Sequence, residues 1–160
     1  MAKSKKTNAE RILDQNKIVY TSMTYDLSDD KIDGISVADK IGKSYDLVFK
    51  TLVTQGQGRD LYVFVVPVSK DLDMKKAAKV CGEKKIEMIP VKDIQKHTGY
   101  IRGGCSPIGM KKHYVTFIHE SILDKGEIVV SAGKKGAQIC LKPEDLAKVI
   151  DAKFADIVHK

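Results

Sequence analysis

The chain has no tryptophan, and aromatic residues make up only 6% of it. Proteins that hold splayed single strands stack bases on aromatic rings, so base stacking is a weak expectation here. Three cysteines, Cys81, Cys105 and Cys140, are odd in number and form no CxxC pair. Reduced thiols fit this pattern better than a disulfide framework. His97, His113, His119 and His159 are scattered and make no HExxH, so neither a metal site nor any other cofactor is expected. No GxGxxG follows the first expected strand, and there is no internal repeat or low-complexity linker. No apolar run approaches the ~20 residues that span a bilayer, and the opening residues lack the apolar core of a signal peptide. A cytoplasmic chain with no membrane partner is the expectation.

What is present fits one folded unit. At 160 residues the chain can bury a sizeable core as a single domain, 1–160, with residues 1–6 as a loose basic tail. An apolar content of 42% against 31% charged residues argues against wholesale disorder. The net charge of +7 comes largely from lysine pairs: Lys5-Lys6, Lys75-Lys76, Lys84-Lys85, Lys111-Lys112 and Lys134-Lys135. Such pairs are compatible with an ordinary solvated surface. They also offer a polyphosphate many point contacts, which suits a structured RNA held by its backbone.

Local signals divide the chain clearly. Thr7 and Glu10 have capping-box spacing, and Ala9, Ile12 and Leu13 give an apolar stripe, so a helix should run to about Lys17. Residues 18–25 read as a strand and 26–33 as a polar loop. Ser36 should cap a short helix stopped by Gly42. Residues 47–54 and 61–66 should form a hairpin around the turn 55–60. Asp73 should start a helix that buries Met74, Ala77, Ala78 and Cys81 and ends at Gly82. A short strand at 86–89 and a short helix at 91–97 ended by Gly99 follow. Residues 114–118, 127–131 and 138–141 read as strands, and Pro143 opens the last helix. Strands in the middle with helices at both ends predict an α+β fold with a mixed, curved sheet, not a doubly wound parallel one.

Two features carry possible chemistry. Residues 98–109 hold four glycines, a proline and a serine among apolar residues. Such a loop can aim the N–H groups of Gly103, Gly104 and Cys105 at an anion or a carbonyl oxygen, or it can be a plain connection between strands. In strand 47–54, alternation places Val48, Lys50 and Leu52 on one face and Leu47, Phe49, Thr51 and Val53 on the other. Lys50 is the sole cation of that segment, reaching either an aqueous edge or a pocket with a negative charge to hold. Cys105 competes as a nucleophile paired with His97 or His113, against a bland role as a small apolar filler beside Ile101 and Ile108. Ser106 lacks the G-x-S-x-G elbow because Pro107 follows it, and its hydroxyl is expected to hydrogen-bond substrate.

These residues together resemble a known family. Phe49-Lys50-Thr51-Leu52, Lys75-Lys76-Ala77-Ala78, Thr98-Gly99-Tyr100 through Gly103-Gly104-Cys105-Ser106-Pro107-Ile108-Gly109, and Val130-Ser131-Ala132-Gly133-Lys134-Lys135-Gly136 are similar, in order, to the YbaK/EbsC family. The match runs from Tyr25 to the last helix. The family comprises free-standing trans-editing proteins related to the editing domain of bacterial prolyl-tRNA synthetases. The resemblance implies the family's partly barrel-like sheet flanked by helices and a deacylase that clears a wrong amino acid from tRNA, in the best-known branch cysteine from prolyl-tRNA. It implies that Lys50 holds the terminal adenosine or its phosphate, and that Gly103 and Gly104 serve the ester oxygen. Tyr25, Tyr100, Ser106, Ser131 and Gly133 become the expected substrate-binding positions, and Lys111, Lys112, Lys134 and Lys135 the expected tRNA contacts. Cys105 stands where the family would have an aliphatic residue. In the cysteine branch the substrate's own thiol would attack its carbonyl, so no protein nucleophile is needed. Aminoacyl-tRNA is the implied partner, and prolyl-tRNA synthetase a candidate one. The choice between cysteine, alanine and other small residues stays open, as do a non-catalytic RNA-binding module and a cysteine hydrolase.

Overall fold

A computed structural model describes residues 6–159; apart from Lys6, the expected basic tail lies outside the described residues. Helix α1 (Asn8–Gln15) opens on the reciprocal capping box, with the Thr7 hydroxyl accepting from Glu10 N–H and the Glu10 carboxylate accepting from Thr7 N–H. Strand β1 (Tyr20–Thr24) leads through the polar loop to α2 (Gly34–Ile41), then β2 (Phe49–Gly56) and β3 (Leu61–Pro67) form the hairpin. The cap of α2 is Asp33, whose carboxylate accepts from the backbone and hydroxyl of Ser36. Ser36 itself lies inside the helix, because an aspartate three residues upstream reaches that orphan N–H first.

Helix α3 (Met74–Cys81) is capped by Asp73 and closed by Gly82 in left-handed geometry. Strand β4 (Ile86–Met88) and helix α4 (Ile94–Thr98) precede the glycine loop, and β5 (Val115–His119), β6 (Ile128–Ser131), β7 (Ala137–Leu141), α5 (Pro143–Val149) and β8 (Lys153–Ala155) complete the chain. The expected helix at 91–97 divides into a 3-10 turn, Val91–Asp93, followed by α4.

Two sheets result, and they do not close into a barrel among the described residues. One has the order β4-β2-β3-β5-β8 and is mixed, with β3–β5 and β5–β8 parallel. The other is antiparallel, β1-β7-β6, and a bridge between Val48 and Val129 joins the two. Alternation along β2 and β3 explains the layering. Phe49 and Val65 face the smaller sheet with Ile118, Ile128, Val130, Ile139 and Leu141, under α1 and α5. Tyr62, Phe64 and Val66 face the other way, onto Ala77 and Ala78 of α3. The cavity described next lies where the seam between the sheets meets the glycine loop.

Candidate functional site

Where β2 leaves that seam, a cavity of about 130 Å³ is lined by Val48, Phe49, Lys50 and Thr51 of β2 and its approach. Val37 of α2, Ser131 of β6 and Gln138 of β7 close its sides, while Ile32, Gly103 and Cys105 come from loops. Among the described residues Lys50 is the one charged residue of the lining, so the site presents a cation with no carboxylate beside it. That charge balance suits an anion or an oxygen that gains negative charge.

Lys50 pairs across the hairpin with Val66, and its side chain is 31% exposed. The nearest carboxylate is that of Asp71, 3.8 Å from Nζ, and Asp71 is itself 89% exposed. A pair this long and this wet holds the ammonium only weakly, leaving it available to a ligand.

The glycine loop is built by contact with the neighbouring turn. Gly103 has φ of 86° at the third position of a turn in which Gly104 N–H donates to the Ile101 carbonyl at 3.0 Å. A side chain on Gly104 would stand 2.8 Å from the backbone of Lys134, so only glycine lets the two loops meet. This geometry corrects the expectation that all three loop N–H groups are free. The Gly104 N–H is spent inside the turn, whereas those of Gly103 and Cys105 have no partner among the described residues.

Two other expected substrate contacts are braces of the loop. Ser106 is fully buried and its hydroxyl accepts from Ile108 N–H at 3.2 Å, which leaves it beneath the loop and not in the cavity lining. Tyr100 is buried as well; its hydroxyl donates to the Ile108 carbonyl at 2.6 Å and its ring packs on Gly133. Gly133 in turn donates to the Ser131 hydroxyl. Of the expected set, Lys50, Gly103 and Ser131 therefore line the cavity, and Gly104, Tyr100, Ser106 and Gly133 support it. Tyr25 joins the supporting ring from β1's end, its N–H donating to the Gly136 carbonyl and its hydroxyl buried with no partner among the described residues.

Thr51, Gln138 and Ile32 also line the cavity although none was among the expected site residues. The Thr51 hydroxyl is buried with no partner among the described residues, and Gln138, 5% exposed, is a further polar residue of the same lining. Buried polar groups normally have partners, so the Thr51 hydroxyl awaits one. For Thr51 and Gln138 the signal was a polar residue inside an otherwise apolar strand. Ile32, the third, is one of two large aliphatics, with Leu27, in an otherwise polar loop.

The nucleophile alternative does not assemble. Cys105 lines the cavity, but burial pushes its thiol up to about 11. His97 and His113 line a separate groove with Arg59 and Lys112, away from this cavity. Among the described residues no cluster of three or more His, Cys, Asp or Glu is placed to hold a metal ion. The lysine pairs separate too. Lys134 and Lys135 abut the glycine loop at the cavity, whereas Lys111 packs over Gly99 and Lys112 lines the other groove. No helix among the described residues is long and apolar enough to cross a membrane.

Comparison with known proteins agrees with this architecture. The chain is 45% identical over its whole length to a protein of Enterococcus faecalis named "Putative Cys-tRNA(Pro)/Cys-tRNA(Cys) deacylase EbsC", covering 99% of that protein. A crystal structure described as that of "a putative trans-editing enzyme for prolyl tRNA synthetase" superposes with a TM-score of 0.82 at 21% identity, over 98% of this chain and 100% of that one. The crystal structure of hypothetical protein APE2540 superposes with a TM-score of 0.86 at 18% identity, over 95% and 99%. At such identities the two structures show the fold alone. Residues 35–149, from α2 through α5, match the aminoacyl-tRNA editing domain model; with a full-length relative beside it, the chain belongs to the aminoacyl-tRNA editing domain family.

Proposed function

We propose that the protein is a trans-editing aminoacyl-tRNA deacylase acting in the cytoplasm, with cysteine misattached to a proline tRNA as its foremost substrate. The observation that carries this reading is a small cavity whose one charged lining residue among the described residues is Lys50, set beside the N–H groups of Gly103 and Cys105, which have no partner among them. The name of the Enterococcus faecalis relative supports the cysteine assignment. In this reading the Lys50 ammonium anchors the negative end of the substrate, the terminal nucleotide. Gly103 and Cys105 N–H stabilise the ester oxygen as it becomes an oxyanion. Ser131, Thr51 and Gln138 offer neutral polar contacts to the aminoacyl group.

The chemistry is substrate-assisted. The cysteinyl sulfur attacks its own carbonyl carbon, a C–S bond forms, and the ester C–O bond breaks. The thiol proton ends on the ribose hydroxyl of the released tRNA, and water then opens the small cyclic thioester to free cysteine. The protein's contribution is orientation and charge stabilisation. The test is release of amino acid from tRNAs charged with cysteine, alanine, serine and proline. Cysteine should leave fastest, and a protein that accelerates release from none of them is not a deacylase.

A further inference from the structure

One cavity wall comes from an unexpected place. Residues 26–31 are exposed loop between β1 and α2, yet the next residue, Ile32, is half-buried and lines the cavity. Its Cδ1 lies 2.5 Å from where a Cβ on Gly103 would stand, so it rests directly against the N–H-bearing loop. A polar loop has no core of its own to hold such a side chain in place.

The anchor is Lys40, on the last turn of α2. Its Nζ donates to the Asp26 carbonyl at 2.7 Å, to Asp29 Oδ1 at 2.7 Å and to the Lys31 carbonyl at 2.8 Å. An ammonium has three protons, and each meets an acceptor at charge-assisted length. The side chain is only 17% exposed, and Nζ also lies 5.6 Å from the centroid of the Tyr25 ring. Lys40 thus ties the beginning, middle and end of the loop to one point. Among the exposed lysines this chain carries, an ammonium saturated by three partners from a single loop calls for a reason.

Building on the deacylase reading, we propose that Ile32 determines which aminoacyl groups the site accepts, and that Lys40 is its positioning residue. The cavity of about 130 Å³ is close to the roughly 150 Å³ that suffices for a benzene-sized guest. It holds a small aminoacyl group and leaves the terminal adenosine at the mouth. Shortening Ile32 opens space on the side facing Gly103, and pocket space of about one methylene shifts discrimination by about 10–200-fold. Releasing the loop from Lys40 removes the same wall by letting it move.

The experiment compares kcat/KM on tRNA charged with cysteine and with homocysteine, which keeps the attacking thiol and is one methylene longer, for the wild type, Ile32→Ala, Lys40→Met, Lys40→Arg and the double variant Ile32→Ala/Lys40→Met. Ile32→Ala should raise the homocysteine-to-cysteine ratio at least about tenfold. Lys40→Met should move the ratio in the same direction with its melting temperature kept, and Lys40→Arg should restore most of the discrimination. The double variant should go no further than the stronger single one, because both act on one wall. Lys40→Met that slows both substrates equally, or adds fully to Ile32→Ala, overturns the positioning role. An unchanged ratio in Ile32→Ala, in a protein whose wild type is active, overturns the specificity role alone. A wild type inactive on both tRNAs overturns the deacylase reading and this wall assignment with it.

Discussion

With the Cys105 thiol pushed up to about 11 by burial, its thiolate fraction at neutral pH is on the order of one in ten thousand, and no histidine in the cavity lining can draw off its proton. Cys105→Ala should therefore retain most of the deacylation rate; near-complete loss in a folded variant would restore the protein thiol as nucleophile. At this scale the sequence is a good guide to which residues gather and a poor one to what each does. Lys50 and Gly103 were legible, one as the single cation of an alternating strand, the other from glycine density. Gly104 and Ser106 lie in the expected loop, where the Gly104 N–H closes a turn on Ile101 and the Ser106 hydroxyl accepts from Ile108 N–H. Whether an N–H closes a turn or a hydroxyl turns inward depends on hydrogen-bond partners that spacing does not reveal. Thr51 shows the converse, a residue that reads as plain strand although its hydroxyl is buried with no partner among the described residues.

Elements whose ends are chemically marked were read well. The Thr7 capping box, the Asp73 cap with Gly82, Gly42, Gly99 and Pro143 each sit where backbone satisfaction needs them. Strand ends moved by a residue or two, because pairing partners decide them and those are distant in sequence. Strand β8 and the 3-10 turn Glu120–Asp124 had gone unseen, being short and nearly without periodicity. The same logic of contact yields a prediction for the glycine loop. Gly104→Ala would press a methyl into the Lys134 backbone at 2.8 Å, and overpacking of this kind costs about 1–3 kcal/mol. Gly126 has nothing within 4 Å of its would-be Cβ, so Gly126→Ala is the control and should melt with the wild type. Equal melting temperatures for the two variants would mean the loops do not meet as described.

For the whole molecule, the α+β class and the mixed sheet followed from element order, but the pairing of β1 with β7 did not. That pairing brings Tyr20 opposite Leu141, a closure that only a shared core enforces, through Leu13, Ile139 and Leu141. It also brings the turn carrying Lys134 and Lys135 against the glycine loop, so two of the basic pairs end up in different places. Lys111 and Lys112 lie away from the cavity and should act on the tRNA body. Replacing both with alanine should weaken binding of all tRNAs alike and reduce the salt slope by about one to two phosphate contacts. An effect confined to one tRNA would instead make this surface a sequence reader. The central claim, that a pocket cation and a backbone oxyanion hole suffice without a protein nucleophile, is tested most directly at Lys50. The measurement is deacylation of cysteine-charged proline tRNA by Lys50→Ala beside its thermal melt. The account predicts a melting temperature close to that of the wild type and a rate lower by about 10²–10³, the usual loss when one charge-stabilising group is removed. A folded Lys50→Ala protein that releases cysteine at the wild-type rate would contradict it.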